Sequence, residues 1–528
     1  MQSDPLALWT YHDEENMEHT FWRYKIELSV LEVSQVVAYE IDGVTEQANF
    51  HVPASEQNFR WASHSCNGFS SSIDPTEWNG ADPLWNDMLA EHKKNPFHIV
   101  MGGGDQIYND KIVQEAEIAP IFSSETNHAN KSPLTPEIAT AIDRFLFRNY
   151  TKWFGSGTFS QAAAYIPMVN MLDDHDLIDG FGTYPDDLMK SPVFNAIGSR
   201  GYFFYLLFQM FMNDEVDGVS NEDTSDPNPS PFSSLIIGGP GAYIPFPTHN
   251  LLVKLGPKQY MLLLDCRAQR KLTQVCALDT YKRCFRELRA LPPTAQHVII
   301  QLGVPLAYPR MVFLENILTS RFNPIIYLIK KLLPSFTNNF NGQVELLDDL
   351  NDHWCAAKHK HERNVLIERL QEVALKQKLR ITFISGDVHA GGCGYFYTAM
   401  NTSPAKDHRY MLAMITSAIV NAPPPGPVLK LINTLAVKKH RSLFSINTRE
   451  RMLPMFKNNP DGSKQSNKYI IGARNWCAVD YMEDSNELKF DLRVEKSKGS
   501  SEVDVYTVKA PPPLFSKKRF GHRAKDNQ

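Results

Sequence analysis

Long apolar runs are missing from this chain. No stretch reaches the roughly 18 consecutive apolar residues that a membrane-spanning helix needs, so no span is expected. The opening MQSDPLALWTYHDEEN carries neither the basic start nor the apolar middle of a secretory signal, and the expected address is cytoplasmic. Cysteine is sparse, seven in 528 residues with no C-x-x-C pair, which fits reduced thiols and not a disulfide framework. Positive charge is not in surplus either. With 54 Lys+Arg against 59 Asp+Glu, the net charge of -5 offers no footprint for nucleic acid. G-x-G-x-x-G, G-x-x-x-x-G-K-[ST] and G-x-S-x-G are all absent, so dinucleotide-binding, P-loop and seryl-hydrolase readings find no support.

What is present is a globular composition, 43% hydrophobic and 21% charged, long enough for a large core and two to four domains. Residues 22–30 (WRYKIELSV) alternate, with Trp22, Tyr24, Ile26, Leu28 and Val30 on one side, and predict a half-buried antiparallel strand. With VVAYEI (36–41) and a turn at Asp42-Gly43 they predict a small β-rich domain over residues 1–57. The texture then changes. FRWAS, FHIVM, YIPMVNML, YMLLL, HVIIQL, RITFIS and YMLAMIT are short apolar runs, each closed by a polar or glycine-rich turn. Such runs suit strands buried on both faces. Among them, HERNVLIERLQEVAL (361–375) puts Leu366, Leu370 and Val373 on one helical face. The fold class is therefore layered α/β, in which sites gather where strands end. Residues 213–231 read as an acidic surface loop. Residues 306–335, apolar with a few cations, read either as packed core or as an amphipathic membrane-surface segment. Residues 486–495 and 501–510 alternate like a closing hairpin, and a basic tail follows over 514–528.

Four aspartates and a histidine crowd MLDDHDLIDG (171–180): Asp173, Asp174, His175, Asp176 and Asp179. Carboxylates this close repel one another unless water or a cation separates them. The stretch is thus either a helix cap in an acidic turn or a ligand cluster. The same grammar recurs. Asp105 follows three glycines with Tyr108 three residues on, Cys66 follows its own strand, and Asp387 and His389 sit two apart in GDVH. Taken singly, each has a plain structural reading as a turn, a cap or a small buried hydrophobe. Their shared position at the ends of successive strands argues instead for a hard-to-borderline metal site. The His-rich DHWCAAKHKHE (352–362) does not read as zinc ligation, because His359 and His361 fall on different sides of a helix and suit a solvated surface. A zinc amidohydrolase would also want an H-x-H pair on its first strand, which FRWASHSC lacks.

In order along the chain, SCNG (65–68), GGGDQIY (102–108), DDHDLIDG (173–180), DCRAQR (265–270) and SGDVHAGG (385–392) resemble the PhoD-like, or alkaline phosphatase D, metallophosphatases. ELLDDLNDHW with HERNVLIERL (345–370) and TSAIVN (416–421) are similar to further segments of that family. The resemblance implies a four-layer α/β/β/α sandwich over residues 58–513, preceded by the small β domain. It implies Cys66, Asp105, Tyr108 and Asp387 around a ferric ion, with Asp105 bridging to a second metal. That second ion is calcium in the family's secreted members and another divalent ion is the alternative here. Asp174 would be its ligand, His389 a further ligand, and His175 the outer-sphere catalytic group at the phosphate. Asp173 and Asp176 would orient these groups. Arg267, with Asp265 and Arg270, matches a D-x-R-x-x-R-like segment whose guanidinium would clamp phosphate or brace the site. The implied activity is hydrolysis of a phosphate monoester or diester, and a phospholipid or other bulky diester would suit the 306–335 segment. Weak membrane-surface contact through that segment or the basic tail belongs to the same expectation. A non-catalytic scaffold on this fold would have lost ligands, whereas every matching position keeps a competent side chain.

Overall fold

The computed structural model describes residues 5–41, 47–122, 132–219, 233–310, 352–400, 402–441, 447–458 and 462–515. Most of the 306–335 segment, much of the 213–231 loop and nearly all of the basic tail lie outside the described residues.

Two sheets carry the architecture. In the six-stranded sheet, Trp61–His64, Ile99–Gly102 and Met168–Asn170 run parallel. Asn475–Met482, Glu487–Glu495 and Val503–Ala510 extend it antiparallel, the last two forming the expected closing hairpin. The ten-stranded sheet is parallel at its centre, through Gln259–Leu263, His297–Leu302, Arg380–Ser385 and Met411–Ile415. Every residue of those four strands is buried, which is why they are apolar on both faces at most positions where a one-sided strand would alternate, with Gln301 and Thr382 buried among them.

Strand pleating decides where each side chain goes. Met261, Leu263, Ile299, Ile384 and Met414 share one cluster with Trp61, Met101, Cys477 and Val479 of the other sheet. The alternate residues Leu262, Val298, Ile300 and Phe383 meet Phe285 and Leu288 of the helix Leu278–Ala290 and Leu366 and Leu370 of Lys360–Gln377. On the far side of the smaller sheet, Ala62, Val100 and Ala478 pack on Leu84, Trp85 and Met88 of the helix Pro83–Lys94. Each such large side chain, withdrawn from water, stabilises the fold by about 1.5–3 kcal/mol.

The N-terminal residues form two hairpins, Leu6–His12 with Glu18–Arg23 and Gln35–Tyr39 with Ala48–Val52. The first shares its core with the main body. Leu8 belongs to the large inter-sheet cluster, and Trp9 packs edge-on against Phe203 and Phe204 of the helix Pro192–Gln209 at 5.2 and 5.5 Å.

Three expectations need correction. The strand read over 22–30 ends at Arg23, whose guanidinium turns back to a bidentate pair with buried Asp217 at 2.7 and 2.9 Å. Beyond it Tyr24, Ile26 and Val30 are more than half exposed, so the alternation there records no buried face. Asp217 in turn means that the acidic stretch from 213 begins as a pinned helical turn, Asp214–Asp217, and not as free loop. Finally, His359, at the N-cap of the helix Lys360–Gln377, is buried and of the two only His361 is exposed.

Candidate metal centre

Parallel strands of both sheets end on the same edge, and the loops that follow converge. Trp61–His64 leads to Cys66, Ile99–Gly102 to Asp105, Met168–Asn170 to Asp173, and Arg380–Ser385 to Asp387. The turns are abrupt. Cys66, Asp105, Asp387 and His389 all hold left-handed backbone, with φ of 53°, 57°, 68° and 48°. Non-glycine residues adopt that region at a cost, which is met where surrounding contacts over-determine the geometry. Gly104 is required outright. Its φ is +113°, and a Cβ there would stand 2.5 Å from the Asp173 Cβ.

Asp105, Asp173, Asp174 and Asp387 each offer a carboxylate oxygen within 4.8 Å of the others, and Asp105 and Asp174 form a second such group with His175. Asp105 and Asp174 therefore belong to both. The Cys66 Sγ lies 3.4 Å from Asp105 Oδ2 and 3.0 Å from the Ser417 hydroxyl. The Tyr108 hydroxyl lies 3.3 Å from His389 Nε2, and Asn421 Nδ2 reaches both at 3.1 and 3.3 Å. Neither Cys66 nor His389 falls inside a metal-sized group in this geometry, so they line the carboxylate cluster on one side.

The acidic run after Met171 divides its labour. Asp176 is fully engaged as an acceptor, from the backbone N–H groups of Asp105 and Asp173 at 2.8 and 2.9 Å and from Gln209 Nε2 at 2.9 Å. It locks the Asp105 loop to the short 3-10 turn Asp174–Asp176, which Asp173 precedes as N-cap. Asp173 does more than orient its neighbours. One of its oxygens meets Arg267 Nε, while Oδ2 is buried with no hydrogen-bond partner. His175 is held by Asp110 Oδ2 at Nδ1, 2.8 Å, and stacks on the Tyr108 ring at 4.2 Å between centroids.

Arg267 is wholly buried. It pairs with Asp173, with Asp174 at 3.3 Å and with both oxygens of Asp352 at 2.8 and 2.6 Å. Arg270 also grips Asp352, at 2.7 Å. Asp265 faces away from the cluster and caps its own loop, accepting from the Arg267 and Ala268 N–H groups and from the Tyr202 hydroxyl.

Crowded, buried carboxylates resist ionisation. Burial pushes Asp105 well above the usual range, the nearby His175 opposes this, and Asp174 and Asp173 add to it. Burial, then Asp173, Asp352 and Asp174, raise Asp387 likewise. Asp173 is pushed up to about 7 by burial against the pull of Arg267. Burial works against a charge on His175, yet Asp110 and Asp174 outweigh it and hold the imidazolium well above its ordinary range. His389 goes the other way, down to about 3, through burial and the His175 charge. An acid cluster with one buried oxygen left unpaired, beside a neutral imidazole, has the donor set and electrostatics of a cation site.

The profile of the family described as PhoD related phosphatase matches residues 37–325 and 326–508. The chain belongs to the PhoD related phosphatase family. A relative, the uncharacterized protein YGR266W of Saccharomyces cerevisiae, is 36% identical over 504 residues, covering 87% of this chain and 70% of that protein. Among solved structures, one described as the structure of PhoD overlays 97% of this chain and 85% of its own at 11% identity and a TM-score of 0.48. A dimetal phosphatase from Danio rerio overlays 86% of this chain and 98% of its own at 9% identity and a TM-score of 0.34. These two scores add no argument beyond the family match.

Within this PhoD-related chain, several site residues carry no local signature. Asp110 follows Tyr108 by two residues and Asp352 opens a His-rich helix start, but neither announces its partner. Ser417 and Asn421 sit in TSAIVN, where resemblance alone drew notice to the segment.

Proposed function

We propose that this chain is a metal-dependent phosphoric ester hydrolase acting through a multinuclear centre. The observation that carries the reading is the four-carboxylate group Asp105, Asp173, Asp174 and Asp387, shared through Asp105 and Asp174 with His175. The helix–sheet–sheet–helix packing of residues 58–513 is read as the four-layer metallophosphatase sandwich, with the site at its strand ends.

Asp105 is assigned as the bridging ligand, Asp387, Cys66 and Tyr108 as holders of a ferric ion, and Asp174 with Asp173 as holders of a divalent ion, calcium in related enzymes. His389, kept neutral by its surroundings, is suited to ligation. Bound metal ions neutralise phosphoryl charge and acidify a water to near pH 7. The chain's own residues do the rest. The carboxylates fix ion positions, since Asp176 clamps the backbone beneath Asp105 and Asp173. With Nδ1 committed to Asp110, His175 presents Nε2 to hold a proton at a phosphoryl or leaving oxygen. Arg267 is assigned as a brace, because Asp173, Asp174 and Asp352 occupy its guanidinium away from solvent. The substrate is a phosphate monoester or diester.

The test is paired substitution. Asp105→Asn and His389→Ala should abolish ester hydrolysis and lower bound metal while circular dichroism stays native. A visible tyrosinate–iron band lost in Tyr108→Phe would support the ferric assignment. Unchanged turnover in both Asp105→Asn and His389→Ala would refute the site.

A further inference from the structure

The helix Gly426–Ala436 begins five residues after Asn421, the residue that reaches both Tyr108 and His389. Its inner face, Leu429, Ile432 and Ala436, packs with Ala390, Ile415 and Tyr308, and Val388 of the GDVH loop lies against the same cluster. The helix is therefore seated directly beside the metal-binding turn.

Its outer face is unusual for a chain of net charge -5. Lys430, Lys438, Lys439 and Arg441 are exposed, and no aspartate or glutamate occurs anywhere in residues 423–441. Among the described residues, none of these four cations forms an ion pair. Nearby Glu450 is already held by Arg310 and Arg363 at 2.5 and 2.6 Å. The edge strand His440–Arg441 places Arg441 directly across from Arg449 of Thr448–Met452, an unrelieved like-charge pair. Like charges opposite one another weaken a sheet unless something anionic lies over them. Between the lysines, Leu431 is 42% exposed beside Lys430 on the helix, and Val437 is 62% exposed at the helix end next to Lys438. The positive field is felt locally, since burial first, then Arg310 and Lys438, push His440 below its ordinary value against the opposing Glu450.

We infer that this face docks on an anionic lipid bilayer. Cations that reach a negative surface, interleaved with apolar side chains that enter the headgroup boundary, are what interfacial helices provide. The face is cationic and apolar with no acidic residue among residues 423–441, which is the charge complement of an anionic headgroup layer. The contact would hold the metal-binding turn at the membrane surface. It depends on charge and exposure and not on turnover.

The experiment is vesicle co-sedimentation of the full chain, with phosphatidylcholine alone and with about 30 mol% phosphatidylserine added. Wild type should bind the anionic vesicles, bind the neutral ones weakly, and lose binding as salt rises. At about 1 kcal/mol, or fivefold, per cation near the surface, K430E/K438E/K439E should weaken anionic binding about a hundredfold. Leu431→Ser/Val437→Ser should weaken binding to both vesicles. All these positions are exposed, so thermal midpoint and hydrolysis of a soluble ester should remain those of wild type. Asp105→Asn should bind vesicles as wild type does, which separates this inference from the catalytic one. Failure of wild type to bind anionic vesicles would overturn it. So would undiminished binding by the triple variant, or a preference of wild type for a single-stranded RNA oligonucleotide over vesicles.

Discussion

Replacing Arg267 by Gln separates bracing from substrate binding. The guanidinium has no solvent exposure and pairs with Asp173, Asp174 and Asp352. Asp352 is held down at about 2: burial alone would raise it, but Arg267 and Arg270 outweigh that. Removing one partner from a buried ion pair leaves the other charge uncompensated, at about 3–5 kcal/mol. Here two neighbouring carboxylates, Asp173 and Asp174, lose their cation as well, so the upper part of that range applies. Unfolding entropy of about 2.1 cal/mol/K per residue makes one kcal/mol worth about 1 °C in a chain of 528 residues. Arg267→Gln should therefore lower the thermal midpoint of chelator-treated protein by about 4 °C. Asp352→Asn should do nearly the same, and the double variant should lose much less than the sum, because each substitution removes the same interaction. Turnover should fall through poorer metal retention. The reasoning is refuted if Arg267→Gln keeps its midpoint and metal but raises KM steeply for a soluble ester, since that pattern belongs to a residue that grips substrate.

Other outcomes follow from the same geometry. Asp387→Asn should lose metal and turnover yet leave the chelated protein as stable as wild type or more so, because burial and Asp173 already penalise the ionised carboxylate; a lower midpoint in calorimetry would contradict this. Asp110→Asn should cut turnover about 10- to 100-fold with metal content preserved, since it orients His175 and ligates nothing; equal loss of metal would show Asp110 to be a ligand. His297 is pushed from 6.5 down to about 4, by burial first, and its Nε2–H donates to the Asn486 carbonyl, 2.9 Å away. The unfolded chain protonates first as pH falls. Stability from this group is thus full above about pH 6.5 and declines towards pH 4, by up to about 3 kcal/mol. His297→Gln should flatten that slope in urea titrations, and an unchanged slope would assign the acid sensitivity elsewhere.

The strands HVIIQL and RITFIS were legible because burial on both faces demands apolar residues at both even and odd positions, and they stand at His297–Leu302 and Arg380–Ser385. The alternation after Arg23 misled for the converse reason. A period of two records which way side chains point, and only a covering layer makes one side buried, which Tyr24 and Ile26 lack. The convergence of Asp105, Asp174, His175 and Asp387 was readable too, since tight turns after strands put the residues that follow them at one edge of an α/β sheet. The unpaired oxygen of Asp173 is visible only in the structure, where Arg267 takes the other one.

By itself, then, the sequence determined the strand ends, the acidic clusters that follow them and the family, all of which depend on residues near one another along the chain. Tertiary structure alone decided the partners: Asp352 for Arg267 across 85 positions, Asp110 for His175 across 65, and Asn421 for Tyr108 across 313. Charge pairing in a low-dielectric interior depends on distance in space, and no local pattern encodes which distant loop will neutralise a buried group.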